Sequence, residues 1–226
     1  MKITRSLYGR SLLVGCLASS LLILQGCKTV LQAEVYASDV FLDESVRTPA
    51  SMLIEIPSCS SESRGDFTRS AVSLFDSASE AKAVGCESQG MDSLLKISFL
   101  AEVASKDSSA DLTLVRNKAG QQDANMRGIK PVLGQSFLNR FERLMRENMQ
   151  TFEAEDLSFS ISLNNDLRVP VALSSYMVWV DGEAYERYTN ESVGRRGKVE
   201  LSFSNVTSDL MLEGKQPTVL WVAQNK

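Results

Sequence analysis

Strict alternation of apolar and polar side chains is the sequence feature that most constrains this fold. From Leu157 to Leu163 every second residue is apolar, and each residue between them is serine. An extended strand produces this period of two, because its successive side chains point to opposite faces. The same pattern, or an apolar run bounded by turn residues, predicts eight further strands at 31–38, 51–57, 95–103, 111–116, 169–180, 183–188, 198–204 and 218–223.

Two segments have the residue spacing of an amphipathic helix instead. Apolar residues recur at intervals of three and four near 66–79 and, more regularly, over 135–152. Asp181-Gly182 is a strong signal for a two-residue hairpin turn. Because most strands follow one another as hairpin-like pairs, we expect an α+β fold, mainly antiparallel β with about eight or nine strands and two amphipathic helices.

Two connections are predicted from the residues between the strands. The segment 111–116 is expected to return beside 95–103 as its hairpin partner across a polar turn. Residues 119–131 are mostly polar and contain glycine, which predicts a loop. This loop is the one candidate boundary at which the rest of the chain could be subdivided.

Residues 1–26 have the three zones of a secretory signal peptide. A basic segment without acidic residues, 1–10, precedes 14 apolar or small residues at 11–24. This apolar segment is shorter than the roughly 20 residues that a transmembrane helix needs. Its length and its flanking residues are typical of a signal-peptide core.

The four residues "LQGC", which end at Cys27, resemble the lipobox of bacterial lipoproteins. Gln25 departs from the small residue usual at its position, and the rival Cys16 follows Arg10 too closely to leave room for an apolar core. We therefore expect lipidation, including palmitate, on Cys27 and a mature lipid-anchored domain at 27–226. The alternatives are a signal cut elsewhere and a plain membrane anchor.

The lipobox resemblance also implies a location. Lys28 follows Cys27, whereas Asp at that position usually retains Gram-negative lipoproteins at the inner membrane. The expected location is therefore the bacterial cell envelope, with the protein anchored in the outer membrane and facing the periplasm. Two or three acyl chains hold a protein stably in a membrane, whereas one chain binds only marginally.

Charge and composition exclude several functional classes. Removal of residues 1–26 takes away three basic residues and no acidic one, which leaves 21 basic against 28 acidic residues and a formal charge of −7. This charge opposes nucleic-acid binding, which needs a basic surface. The chain has no histidine, so Ser-His-Asp catalysis, Cys-His catalysis and His-ligated zinc are excluded.

The two remaining cysteines, Cys59 and Cys86, are expected to form one disulfide in an exported protein. Such a bridge closes a loop of about 28 residues and would contribute about 3 kcal/mol to stability. The alternatives are a redox-active pair and a metal site. Neither has the C-x-x-C spacing or the histidines that would support it.

Several short motifs could carry chemistry, and none is assigned a catalytic, cofactor or metal role. Ser93-Leu-Leu-Lys96 matches S-x-x-K, but residues three apart in a strand point to opposite faces. The tripeptide at 64–66 spells Arg-Gly-Asp and is interpreted as a helix start. The acidic residues within 153–156 lack the spacing of a calcium-binding loop.

The aromatic residues near the predicted hairpin are the candidate contacts for a partner. Tyr185 and Tyr188 lie beside the Asp181-Gly182 turn, where exposed aromatic side chains could anchor another protein. Trp179 and Trp221 lie among alternating apolar residues and are expected in the core.

Four segments together resemble a known group of proteins. They are "EVYASD" from Glu34, "TPA" from Thr48 with "EIPSC" ending at Cys59, "GCE" around Cys86 with "GMDS" from Gly90, and "FSNVTSDL" from Phe203. The group consists of uncharacterised small bacterial lipoproteins that are often encoded in phage or prophage regions. The resemblance implies a lipidated, disulfide-containing envelope domain and no catalytic residues.

The leading hypothesis is a lipid-anchored envelope protein that acts as a non-enzymatic binding module on an unknown envelope protein. A prophage-encoded version would mask a receptor or exclude a second phage. The alternative is an envelope enzyme that uses carboxylate or Ser-Lys chemistry. A deep cleft with converging Asp, Glu or Lys side chains would favour the enzyme, and an aromatic-lined surface would favour binding.

Overall fold

The computed structural model describes residues 29–89, 92–106, 108–118, 125–147, 157–212, 215 and 218–224. Across them the chain forms eleven β-strands, four α-helices and a short 3-10 helix. The strands are β1 (Thr29–Tyr36), β2 (Val46–Ile56), β3 (Lys82–Gln89), β4 (Asp92–Ala104), β5 (Leu112–Lys118), β6 (Met126–Leu133), β7 (Leu157–Asn164), β8 (Val171–Val180), β9 (Glu183–Val193), β10 (Lys198–Phe203) and β11 (Leu220–Gln224). The helices are α1 (Ala37–Phe41), α2 (Ser61–Val72), α3 (Gln135–Glu147) and α4 (Asn205–Leu212), and the 3-10 helix is Ser77–Ser79.

All eleven strands belong to one mixed sheet. The strand order is β10-β7-β1-β2-β4-β5-β6-β11-β8-β9, and β3 is attached to β4. Strand β8 also pairs with β10, so the path of paired strands returns to its start. Because β9 covers β8 along its whole length, β11 and β10 share the opposite edge of β8, against 171–175 and 178–180 respectively.

The expected α+β class is wrong, because the described chain is mostly strand and its sheet is not purely antiparallel. Strand β1 pairs with β7 in parallel over eight residue pairs, and β4 pairs with β5 in parallel over three. There are eleven strands rather than eight or nine, and four short helices rather than two amphipathic ones. Helices α2 and α3 overlap the two predicted helices, whereas α1 and α4 were not predicted. Periodicity is a property of a single segment, so it does not report which distant strand becomes the neighbour.

Two local predictions fail for related reasons. The segment 111–116 is not a hairpin partner, since β4 and β5 run in the same direction and overlap only where one ends and the other begins. Residues 126–131 belong to β6 rather than to a loop, while 119–124 lie outside the described residues. Strand β6 pairs with β5 on one edge and β11 on the other, and these partners satisfy its backbone although its sequence does not alternate.

The predicted Asp181-Gly182 hairpin is confirmed. Both residues have positive φ, 48° and 89° respectively, as a type I′ turn requires. The turn joins β8 to β9, and Val180 pairs with Glu183 directly across it.

The apolar faces of the strands meet in one core, which α3 helps to fill. Phe137 and Phe141 on one face of α3 are buried, and their rings are stacked with centroids 6.0 Å apart. The ring of Phe75, which follows α2, lies 5.2 Å from Phe137 and 4.5 Å from Phe99 of β4. These rings therefore connect the helical layer to the sheet through aromatic contacts.

A buried carboxylate fixes α3 beside the 3-10 helix. Asp111 accepts a hydrogen bond from Arg140 Nη2 at 2.7 Å, and its second oxygen accepts from Ser79 Oγ at 2.7 Å and from the Asp76 backbone N–H at 2.8 Å. Arg140 also donates to the Leu74 carbonyl at 2.6 Å. Because every carboxylate oxygen has a partner, the buried charge is stabilised and holds three segments together.

The predicted disulfide is present between Cys59 and Cys86, with a Cα–Cα distance of 5.6 Å. Cys59 precedes α2, and Cys86 lies in β3. The bridge therefore joins the start of a helix to a strand that pairs only with β4 among the described residues. We assign it the role of fastening this outlying strand.

Candidate functional site

The predicted lipid attachment at Cys27 lies outside the described residues, as does the whole signal peptide at 1–26. Strand β1 begins at Thr29, two residues after Cys27. Within the described part of the chain, no helix is both long enough and apolar enough to cross a membrane. Lipidation of Cys27 therefore stays a prediction.

Strand β8 changes its pattern of burial at Met177. Val171, Leu173 and Ser175 face the core, and the next buried residues are Val178 and Val180. Met177 between them has a φ of 50°, which is uncommon for a residue with a side chain. We call this irregular residue of β8 the kink. It lies between the part of β8 that pairs with β11 and the part that pairs with β10.

Three neighbouring side chains at this point of β8 are exposed, Tyr176, Met177 and Trp179, which we call the aromatic patch. Their exposed fractions are 52%, 54% and 42%. Tyr176 continues the outward positions of the first half of the strand, and the kink adds Met177 and Trp179. The guanidinium of Arg187 lies over the ring of Tyr176, 5.6 Å from its centroid, in cation–π geometry. A groove of about 360 Å³ opens beside the patch, lined by Met177, Val178, Trp179, Ala184, Tyr185, Glu186 and Ser204.

The two predicted partner-binding tyrosines are less exposed than the aromatic patch. Tyr185 and Tyr188 are partly buried against the core and contact each other edge to face, with ring centroids 5.1 Å apart. The hydroxyl of Tyr185 donates to Glu183 at 2.9 Å. Tyr185 also lines the groove, so its role in binding a partner stays a prediction.

The two tryptophans have different environments. The prediction that Trp179 is in the core is wrong, because the kink at Met177 turns it outward. Trp221 is half-buried in β11, directly opposite Gly128 of β6. A Cβ on Gly128 would lie 2.9 Å from the indole ring, so this glycine makes room for Trp221.

The outer face of the sheet carries a second feature, a continuous row of cross-strand neighbours that we call the serine row. Residues directly opposite one another in paired strands share a face of the sheet. The registers place one residue from each of eight strands in this row: Ala184, Trp179, Ser202, Ser160, Gln32, Ser51, Ser98 and Lys82. Seven steps of about 4.8 Å make the row about 34 Å long, measured along the curved sheet.

The central part of the serine row forms the floor of a polar groove of about 300 Å³. Hydroxyl and amide side chains of β7, β1, β2 and β4 line it, and four charged residues stand around them: Glu34, Lys96, Lys198 and Glu200. Ser51 Oγ donates to Gln32 Oε1 at 3.3 Å. The Oγ atoms of Ser98 and Ser162 are buried and have no hydrogen-bond partner among the described residues.

The motifs considered for catalysis do not come together. Ser93 and Lys96 lie on β4 on either side of the buried Leu95, and the period of two places their side chains on opposite faces. The side chain of Arg64 lies outside the described set, and so does the acidic segment 153–156. Among the described residues no three His, Cys, Asp or Glu side chains form a group that could hold a metal ion.

One carboxyl with a shifted pKa lies where α1 approaches the turn after β7. Burial raises the pKa of Asp39 above its ordinary value of 3.8, the charge of Asp166 raises it further, and Arg116 opposes both. Asp166 accepts hydrogen bonds from the Ser38 backbone N–H at 2.9 Å and from Ser38 Oγ at 2.5 Å. The contact therefore joins two connections of the fold.

Arg116 has a structural role beside this carboxyl. The residue is 6% exposed, and its guanidinium donates to the carbonyl oxygens of Asp39, Leu42 and Glu44 in the α1–β2 connection. Burial lowers the pKa of Arg116, while Asp43 and Asp39 act in the opposite direction. These contacts position backbone and bring no second reactive group to Asp39.

Sequence reasoning missed both surface features. The kink at Met177 has no sequence signal, because methionine is not a residue that favours positive φ. The serine row did have one, since each of its serines occupies a polar position in an alternating strand. Their alignment depends on register, which a single strand does not encode.

Comparisons with known proteins place the chain in a family without assigning it an activity. Neither a search of curated proteins nor a search of solved structures found a match. A protein-family model matches residues 29–226, which include every described residue. This confirms the expectation of an uncharacterised family, and the chain belongs to the family described as Domain of unknown function (DUF7424).

Proposed function

We propose that this chain is a lipid-anchored, non-enzymatic binding module of the bacterial cell envelope. The supporting observation is the aromatic patch, which presents Tyr176, Met177 and Trp179 side by side on an ordered hairpin. Tryptophan and tyrosine are enriched among the residues that dominate binding energy at protein interfaces. Three of the seven exposed large apolar side chains in the described residues lie together here, and such a cluster suits a partner better than single exposed residues do.

The proposed anchor would hold this surface close to the membrane. Two peptide steps separate Cys27 from the start of β1, a span of at most about 7 Å. A lipid-modified Cys27 would therefore leave the folded domain almost no freedom to move away from the bilayer. In the proposed arrangement the protein faces the periplasm from the outer membrane, where its partner is another envelope protein.

The finer proposal concerns the biological setting. The resemblance to prophage-associated lipoproteins suggests a protein that masks a receptor or prevents entry of a second phage. The alternative, an envelope enzyme with carboxylate or Ser-Lys chemistry, is not favoured by any grouping of side chains in the described residues. Ser93 and Lys96 point away from each other, and the carboxyl of Asp166, which lies near Asp39, accepts hydrogen bonds from Ser38.

Fatty-acid labelling tests the anchor. Cells that express the full chain are grown with a clickable palmitate analogue, and the protein is recovered from the membrane fraction. The wild type and Cys16→Ser should be labelled to the same extent, whereas Cys27→Ser should lose the label and leave the outer-membrane fraction. Labelling that persists in Cys27→Ser would contradict the proposed anchor.

Site-specific crosslinking tests the binding surface. A photo-crosslinking amino acid replaces Met177 in the aromatic patch or, as the control, Val84 of β3, which is similarly exposed at 58%. We expect a discrete crosslinked envelope protein from position 177 and none from position 84. Equal crosslinking at both positions, or none at either, would contradict a partner surface at the patch.

A further inference from the structure

We infer that the serine row is a binding site for a linear, uncharged oligosaccharide chain. The inference goes beyond the proposed protein partner, because it adds a second ligand that binds a neighbouring surface. It is independent of the lipid anchor. The argument uses the register of the sheet, the unpaired hydroxyls in the polar groove and the position of Trp179.

Unsatisfied hydroxyl groups are the first observation. Ser160 is 5% exposed and lines the polar groove, and its hydroxyl makes no hydrogen bond within the described part of the chain. The hydroxyl oxygens of Ser98 and Ser162 in the same groove are buried and also lack partners there. A buried polar group without a partner is costly, so these positions favour a ligand that supplies donors and acceptors.

The position of Trp179 is the second observation. It pairs with Ser202 across β8 and β10, and Ser202 pairs with Ser160 across β10 and β7. The exposed indole therefore stands next to the last member, Ala184, of the serine row, on the same face as the hydroxyls. A sugar ring has a flat apolar face that stacks on an exposed aromatic ring and an equatorial rim of hydroxyls that hydrogen-bond.

The spacing of the row suits a chain rather than a single sugar. Adjacent members stand about 4.8 Å apart, which is close to the length of one pyranose unit. A linear oligosaccharide that starts on Trp179 and crosses β10, β7 and β1 would meet a polar group at each step.

Other classes of ligand fit less well. A peptide that binds by strand addition needs a free strand edge, whereas β10, β7, β1, β2 and β4 are each paired on both edges. The groove carries two acidic and two basic side chains, Glu34, Glu200, Lys96 and Lys198, so its charges balance and do not favour a nucleic acid or other polyanion. An apolar ligand would leave the serine hydroxyls unpaired.

Titration of the detergent-solubilised full-length protein tests the inference. The probes are three linear hexasaccharides, cellohexaose, maltohexaose and chitohexaose, with binding measured by calorimetry. At least one should bind, and Trp179→Ala should weaken that binding about tenfold, the upper end of what one aromatic stacking contact contributes. Ser160→Ala should weaken it several-fold, by removing a hydroxyl that the ligand would satisfy.

Matched controls separate the site from its surroundings. Val84→Ala removes an exposed apolar side chain from β3 outside both the aromatic patch and the row, and Ser192→Ala removes an exposed hydroxyl from β9 outside the row. Both should leave saccharide affinity unchanged, and thermal unfolding confirms that each variant is folded.

Two results would overturn the inference: no binding of any of the three hexasaccharides, or equal effects of the row variants and their controls. If either result is found while position 177 still crosslinks to a partner, only the proposed saccharide site is disproved. If position 177 gives no crosslink while a hexasaccharide still binds, the proposed protein-binding surface is disproved instead.

Discussion

The β2–β4 ladder and the β8–β9 hairpin are both long antiparallel pairs, but they use their side chains differently. In the first, all eleven residues of β2 pair in unbroken register with β4, from Val46↔Val103 to Ile56↔Ser93. In the second, the register shifts after Leu173, and the burial pattern changes phase at Met177. One ladder is therefore regular in both register and burial, and the other is regular in neither.

This difference shows when an alternating sequence reports the buried face correctly. As long as every residue keeps an extended backbone, apolar residues two apart share one face. A single residue with positive φ reverses the assignment for everything beyond it. Trp179 follows Met177 by two residues, and for that reason it is exposed although its sequence context is apolar.

The largest expected effect comes from the same substitution made once in each region. Met52 of β2 is 0% exposed, and Met177 of β8 is 54% exposed. Met52→Ala should lower the free energy of unfolding by about 2–5 kcal/mol through lost burial and cavity formation, whereas Met177→Ala should change it by less than about 0.5 kcal/mol. Urea denaturation followed by circular dichroism measures both. Similar losses of unfolding free energy for the two variants would contradict the difference in burial between the two regions.

The disulfide provides the next test, because it fastens β3 to the regular ladder. The double variant Cys59→Ser with Cys86→Ser should lower the free energy of unfolding by about 3 kcal/mol, the entropy of opening a loop with a sequence separation of 27. Wild-type protein unfolded in reductant is the control and should match the double variant. Unchanged stability would show that the bridge contributes nothing to this region.

The positive φ of Met177 allows a test in which the order of stability of a glycine and an alanine variant is compared at two sites. Met177→Gly should be more stable than Met177→Ala by about 0.5–1 kcal/mol, because glycine adopts positive φ without steric cost. In the regular ladder the order should reverse, with Ser51→Gly less stable than Ser51→Ala by about 0.5–1 kcal/mol. Chemical denaturation of the four variants measures both differences. The same order at both sites would mean that Met177 is not strained.

The smallest expected effect concerns Asp39, where the connection that follows β1 meets the turn that precedes β8. Its pKa is raised in the folded protein, chiefly by burial, so the folded state binds the proton more tightly than the unfolded state does. The charged carboxyl therefore destabilises the fold at neutral pH, and this penalty disappears below the ordinary pKa of 3.8.

Asp39→Asn should accordingly raise the melting temperature slightly at pH 7, and the difference should vanish as the pH falls below 3.8. Differential scanning calorimetry across this range measures it. Asp43→Asn, a neighbouring acid in the same connection, is the control. A destabilised Asp39→Asn at pH 7 would show that its attraction to Arg116 outweighs the cost of burial.

Much of the fold could be predicted from local sequence. The nine predicted strands all correspond to observed ones, and the hairpin turn and the disulfide are confirmed. Strand β3 was missed because Lys82–Gln89 contains few apolar residues and is mostly exposed. Strand β6 was missed because its buried residues do not alternate.

The candidate site could not be predicted to the same degree. Serines that alternate with apolar residues identify one polar face on each strand, but the serine row exists only because β10, β7, β1, β2 and β4 pair in a particular register. Exposure of Met177 and Trp179 in the aromatic patch depends on one backbone angle. Neither property can be inferred from residue types within a single segment.

The sequence by itself determined where nine of the eleven described strands form and which of their side chains are apolar, and it predicted the Cys59–Cys86 pair. These are local properties of alternation, turn residues and composition. The tertiary structure decided the parallel pairing of β1 with β7, the return of the sheet through β8, and the outward position of Trp179. Those outcomes arise because the apolar faces of all strands are buried together in one core. Burial in a common core depends on contacts between residues that are far apart in the chain.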